Sequence, residues 1–115
     1  MATRKESRIP PDKLALYEAL LATNPEIQRK GDAHPYTSHN GHMFTYLDQT
    51  GTLGIRLSHD DAEAFLAKYK SKMFESYGVI KKDWVAVPDA LLKKTNELKK
   101  YLDASYAHVR TLKPI

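Results

Sequence analysis

The run Trp84-Val-Ala-Val-Pro88, inside the longer stretch from Gly78 to Leu92, does most to limit what this chain can fold into. It is apolar over a strand's length from Trp84 to Val87, and it holds the only tryptophan. Pro88 then stops it. Proline cannot donate to a sheet ladder, but its fixed φ suits the first turn of a helix. A strand therefore turns directly into the carboxy-terminal helical part. The run says a good deal about fold and almost nothing about chemistry.

The residues before it alternate between helix and strand signals. Ile9-Pro10-Pro11-Asp12 opens a helix running to about Ala22, with Leu14, Tyr17, Leu20 and Leu21 at helical spacing and Asn24-Pro25 as its stop. A single short apolar stripe must lie on something. From Glu26 to Leu57 the pattern changes to strands. Ile27 to Lys30 reads as the beginning of one, interrupted at Gly31-Asp32, and His34 to Ser38 as its resumption. Asn40-Gly41 is the strongest short-range hairpin signal, because both central residues of a type I′ turn need positive φ. His42 to Asp48 returns, Gln49-Thr50-Gly51 turns, and Thr52 to Leu57 pairs back, completing a three-stranded meander. Ser58 reads as an N-cap with Asp60 and Asp61 in the first turn, and Ala62, Phe65, Leu66 and Tyr69 form the stripe of a second helix.

A second strand pair follows, Met73 to Ile80 and Asp83 to Val87, joined near Lys81-Lys82. After Pro88 comes a short helical turn. Thr95 is then expected to cap a long helix carrying Leu98, Leu102, Ser105, Val109 and Leu112 on one side. The expected fold is α+β and two-layered. Its order is α-β-β-β-α-β-β-α, with helices packed on a five-stranded antiparallel sheet. Both Trp84/Ala86 and Val85/Val87 are apolar, so periodicity leaves open which pair faces the helices. It also leaves open the choice between Phe44/Tyr46 and Met43/Leu47. An apolar second face calls for a cover, most simply another subunit, so a homodimer is expected.

Composition narrows the function classes. A chain of 115 residues is expected to be one domain, and the absence of cysteine excludes disulfides, thiolate metal sites and a cysteine nucleophile. Residues 1–7 are charged and polar with no apolar segment behind them, so neither a secretory signal nor a membrane span is read, and a cytoplasmic location is expected. The net charge of +4 divides unevenly. Residues 1–9 have three basic side chains against one acidic, for +2, and are expected to form a flexible basic tail. Residues 10–87 have nine against ten, for −1, and residues 88–115 six against three, for +3. The domain proper, residues 10–115, is thus close to neutral apart from a basic terminal helix.

Two segments resemble the amino-terminal domain of the TfoX/Sxy family, bacterial regulators of natural competence. The first is Asn40-Gly-His-Met-Phe-Thr-Tyr-Leu-Asp-Gln-Thr-Gly-Thr-Leu-Gly-Ile-Arg-Leu-Ser58 followed by Asp61-Ala-Glu-Ala-Phe65. It is similar to the family's hairpin ending in an Arg-Leu pair before an acidic helix start. The second is Lys82-Asp-Trp-Val-Ala-Val-Pro88 with Leu98 to Leu112. Where the family usually has Met-Phe-Gly-Gly, this chain has Lys30-Gly-Asp-Ala33. The resemblance implies a secretion-chaperone-like two-layer fold, a regulatory role and no catalytic residues.

Candidate sites are few. His39 and His42 flank the Asn40-Gly41 turn, so they face each other across a hairpin and could share a divalent ion, with His34 or Asp32 as further ligands. The plainer account is a polar hairpin rim, and no metal or other cofactor is expected. There is no Gly-x-Ser-x-Gly, phosphate-cradling glycine loop or His-Glu-x-x-His, and a helix start explains Asp60 and Asp61, so no enzymatic activity is expected. Phe44, Tyr46 and Trp84 on strands, with Arg56 near, are the candidate interaction surface. Core packing is their commoner use. The leading expectation is a non-enzymatic interaction domain working through protein–protein contacts. The alternative is weak single-stranded nucleic-acid binding by those aromatics and the basic terminal helix.

Overall fold

The computed structural model describes residues 9–31, 34–76 and 78–114. The order is α1 (Pro11–Leu21), β1 (Tyr36–His39), β2 (His42–Leu47), β3 (Leu53–Arg56), α2 (His59–Tyr69), β4 (Met73–Ser76), β5 (Val79–Val87), α3 (Asp89–Leu92) and α4 (Thr95–Arg110). The strands form one antiparallel sheet in the order β1-β2-β3-β5-β4, so the expected α+β architecture is the one observed.

Local chemistry accounts for most element ends. Pro11 stands in the first turn of α1, where its missing N–H costs nothing, and Asn24 ends the segment by accepting the Glu26 amide at 3.0 Å. Asn40 and Gly41 take φ of 53° and 88°, and His39 pairs with His42 across them. Ser58 caps α2 through its Oγ, which accepts the Asp61 amide at 3.3 Å, and Lys70 closes the helix in the left-handed region.

One layer of helix covers one sheet face. Tyr17, Leu20 and Leu21 of α1, Phe65 of α2, Leu91 and Leu92 of α3, and Leu98, Leu102 and Val109 of α4 bury themselves with Leu47, Leu53, Ile55, Val85 and Val87. Two polar devices fix this layer. The Tyr17 hydroxyl lies 2.7 Å from Thr45 Oγ1, which lies 2.6 Å from Thr37 Oγ1, a buried chain that ties α1 to β1 and β2. Ser105, fully buried on α4, donates to the Arg56 carbonyl. Its position on the apolar stripe is therefore a strand contact with the hydroxyl satisfied.

Alternation along β2 is broken by a bulge. Thr37 pairs with Thr45 but Ser38 pairs with Met43, leaving Phe44 as an extra residue. The bulge reverses the alternation, so Phe44 and Leu47 both face the helices while Met43 and Tyr46 face away. Neither of the two pairings that simple alternation offers is the one adopted. On β5 the helix-facing pair is Val85/Val87.

Three local expectations are corrected. Ile27 to Lys30 is not a strand; one bridge, Lys30 to Tyr36, is all that forms, because Asn24 holds the preceding residues in a turn. The second hairpin turns at Gly78 (φ 76°), not at Lys81-Lys82, which lie inside β5. The sequence does break there in another way. Met73 pairs with Val85 and Glu75 with Ile80, so residues 81–84 stand against Phe74 alone, and Asp83 takes φ 66°. Thr95 begins α4 but makes no capping bond. The flexible tail expected over residues 1–9 lies outside the described residues except for Ile9, which is buried in the core. No helix among the described residues is long and apolar enough to cross a membrane.

Candidate interaction surface

The sheet face turned away from the helices is built around a glycine. Tyr46, Gly54 and Ala86 stand in register across β2, β3 and β5, so two of three neighbouring positions are small. Phe74 reaches in from β4 and lays its ring over Gly54, where a Cβ would come within 2.6 Å of the ring. Tyr46 meets that ring edge-on at 6.1 Å and Trp84 lies tilted against it, also at 6.1 Å. Phe74 is 1% exposed and Trp84 9%, so this face is filled by its own aromatic cluster. Arg56 pairs with Trp84 across β3 and β5 and is half-buried beside it.

Beyond this cluster the sheet extends into a two-stranded ribbon. β3 pairs with β5 only over residues 84–87, so residues 79–82 of β5 have a strand neighbour on the β4 side alone. The ribbon is both apolar and basic. Met73, Val79 and Ile80 are 42%, 59% and 60% exposed, and Lys70, Lys72, Lys81 and Lys82 are exposed around them. Two grooves, of about 400 and 270 Å³, share Thr52, Lys72 and Ala86 as lining; the larger also takes in Lys70, Ser71 and Val87 to Asp89, the smaller Phe74 and Glu75 of β4.

At the root of the ribbon His59 spans two carboxylates. Its Nδ1 is 3.2 Å from Asp83 and its Nε2 3.3 Å from Glu63. The bond to Asp83, aided by the charge of Glu63, raises its pKa above the usual imidazole value. A second polar cluster joins α2 to α4, where the Tyr69 hydroxyl donates to Glu97 and holds that carboxyl below its usual range.

The four residues picked as a candidate surface are not on one face. Phe44 is 1% exposed and packs toward the helices against Tyr106 of α4. Tyr46, Arg56 and Trp84 share the other face, with Trp84 mostly covered. Phe74, Val79 and Ile80 were not singled out by sequence reasoning. Small residues at Gly54 and Ala86 were the available sign of a ring lying across them, but their adjacency depends on a pairing thirty-two positions apart in sequence.

The three histidines near the first hairpin are each engaged elsewhere. His42 Nε2 donates to the Lys113 carbonyl at 2.7 Å, His39 packs edge-on against Tyr106 with ring centres 5.5 Å apart, and His34 Nδ1 lies 3.4 Å from the Tyr46 hydroxyl. Asp32 lies outside the described residues. Among the described residues no group of three or more His, Asp or Glu side chains is placed to hold a metal ion. No protein-family model matches the chain, and no curated protein matches it.

Proposed function

We propose that this chain is a small non-enzymatic interaction domain, acting through protein–protein contacts made by the β4–β5 ribbon and the sheet face beside it. The observation that carries the reading is where apolar surface is left in water. Of the four large apolar side chains exposed among the described residues, Met73, Val79 and Ile80 lie on that ribbon. Aliphatic surface gathered on one projecting element fits a contact better than it fits a solvated rim. The likeness to the TfoX/Sxy amino-terminal domain gives the proposal its direction, a regulatory protein of the bacterial cytoplasm.

The alternative, weak binding of single-stranded nucleic acid by strand aromatics and the basic terminal helix, requires both on one open face. α4 packs on the helix side of the sheet and Trp84 lies on the other, which counts against it. The test is capture from nuclease-treated lysate by the wild-type chain and by a Val79→Ser, Ile80→Ser variant of unchanged melting temperature. Proteins retained by the first and lost by the second are expected. Capture that disappears with the nuclease would overturn the reading.

A further inference from the structure

β4 is the last strand in the sheet order, so its outer backbone edge has no strand partner among the described residues. Such an edge offers a row of donors and acceptors to any extended chain. Lys70 and Lys72 lead into it, and the neighbouring bulge of β5 adds Lys81 and Lys82. All four are exposed, and none makes an ion pair among the described residues. The acids in the same span are Glu75 and Asp83, and Asp83 is already held by His59. Lysines beside an edge often serve only to keep other strands away. A guarded edge has no use for Met73, Val79 and Ile80 left 42%, 59% and 60% exposed beside them.

Resting on the reading that this ribbon is a protein-contact surface, we propose that it takes an acidic, extended segment of another protein, added as a strand to the outer edge of β4. The partner's carboxylates lie against Lys70, Lys72, Lys81 and Lys82, and its aliphatic side chains against Met73, Val79 and Ile80. A nucleic acid strand fits less well, because bases stack on exposed rings and here Phe74 and Trp84 are 1% and 9% exposed. A symmetric second copy pairing through the same edge would bring the four lysines against themselves.

The probe is a fluorescein-labelled peptide of alternating valine and glutamate, compared with its valine–lysine counterpart, titrated with the full chain in low salt. The glutamate peptide is expected to bind at least about tenfold more tightly. Lys72→Gln with Lys81→Gln should weaken it about fivefold without changing the melting temperature. Amide exchange should slow over residues 72–76 on binding, a mark of strand addition that charge attraction alone would not leave. Equal affinity for the two peptides, or unslowed exchange at β4, overturns the proposal. So does tighter binding of an oligothymidylate or of phosphatidylserine vesicles, or self-association that competes with the peptide. Nuclease-resistant capture that still depends on Val79 and Ile80, with no preference for the glutamate peptide, removes the acidic strand and leaves the interaction reading standing. Loss of that capture removes the reading on which this one rests.

Discussion

Gly54 is kept small by the ring above it. Its backbone needs no unusual φ, so the constraint is space alone: a Cβ would stand 2.6 Å from the Phe74 ring, which itself packs against Tyr46 and Trp84. Gly54→Ala is expected to destabilise by about 1–3 kcal/mol in denaturant unfolding, as overpacking does, and Phe74→Leu in the same chain should recover part of it. A loss under about 0.5 kcal/mol would mean that the ring moves aside freely. Trp84→Ala leaves a hole beside the same ring and should cost about 3–5 kcal/mol. His59 supplies a pH-dependent term. Its pKa is raised in the folded chain, so the folded state holds the proton more tightly than the unfolded one. The contribution is therefore full below the ordinary imidazole value and is lost as pH rises through the raised one. Relative to His59→Gln, the wild type should melt higher at pH ~5.5 and lose that advantage above neutrality. An advantage that grows with pH would contradict the bridge to Asp83 and Glu63.

At the level of elements, the two helix starts that read alike in sequence behave differently. Ser58 accepts the Asp61 amide, whereas Thr95 makes no capping bond and α4 begins one residue after Lys94. Ser58→Ala should cost about 1 kcal/mol and Thr95→Ala less than about 0.5 kcal/mol by chemical denaturation. Equal losses would show that Thr95 caps in solution. The Ser58 cap was legible because its signal is local, a hydroxyl three residues before the amide it accepts. The first hairpin was legible for the same reason, since Asn40-Gly41 needs nothing beyond its own φ values. The second hairpin was misplaced because paired lysines at 81 and 82 mimic a polar turn. Gly78 makes the turn, and the lysines occupy a bulge whose existence depends on the Met73–Val85 and Glu75–Ile80 pairs around it.

For the whole molecule, the physical ground for a second subunit has moved. The second sheet face was expected to need a cover, and Phe74 with Trp84 fills it from within the same chain. A dimer would therefore have to form on the ribbon, and sedimentation at micromolar concentration that returns only the 13.1 kDa species would remove it. Charge sets the limit on nucleic acid. Residues 10–115 carry a net +2, so attraction to phosphates should be weak and fade by ~150 mM salt. Removing residues 1–8, which carry the other +2, should take away about half of what remains at low salt. That truncation stops before Ile9, because Ile9 is buried in the core. Sub-micromolar, sequence-dependent affinity retained after it would restore nucleic acid as the partner.

The amino-acid sequence by itself determined the class of fold, the order of elements and the stripes of α1, α2 and α4, because turn, cap and periodicity signals act within a few residues. It also determined that Pro88 ends the last strand and that the charge excess lies at the two ends of the chain. Only the tertiary structure decided which residues share a face. Phe44 and Tyr46 parted because a bulge in one strand depends on the register of its neighbour. Gly54 and Phe74 came together, and Val79 with Ile80 stayed in water, because strand pairing joins positions that no short-range signal relates.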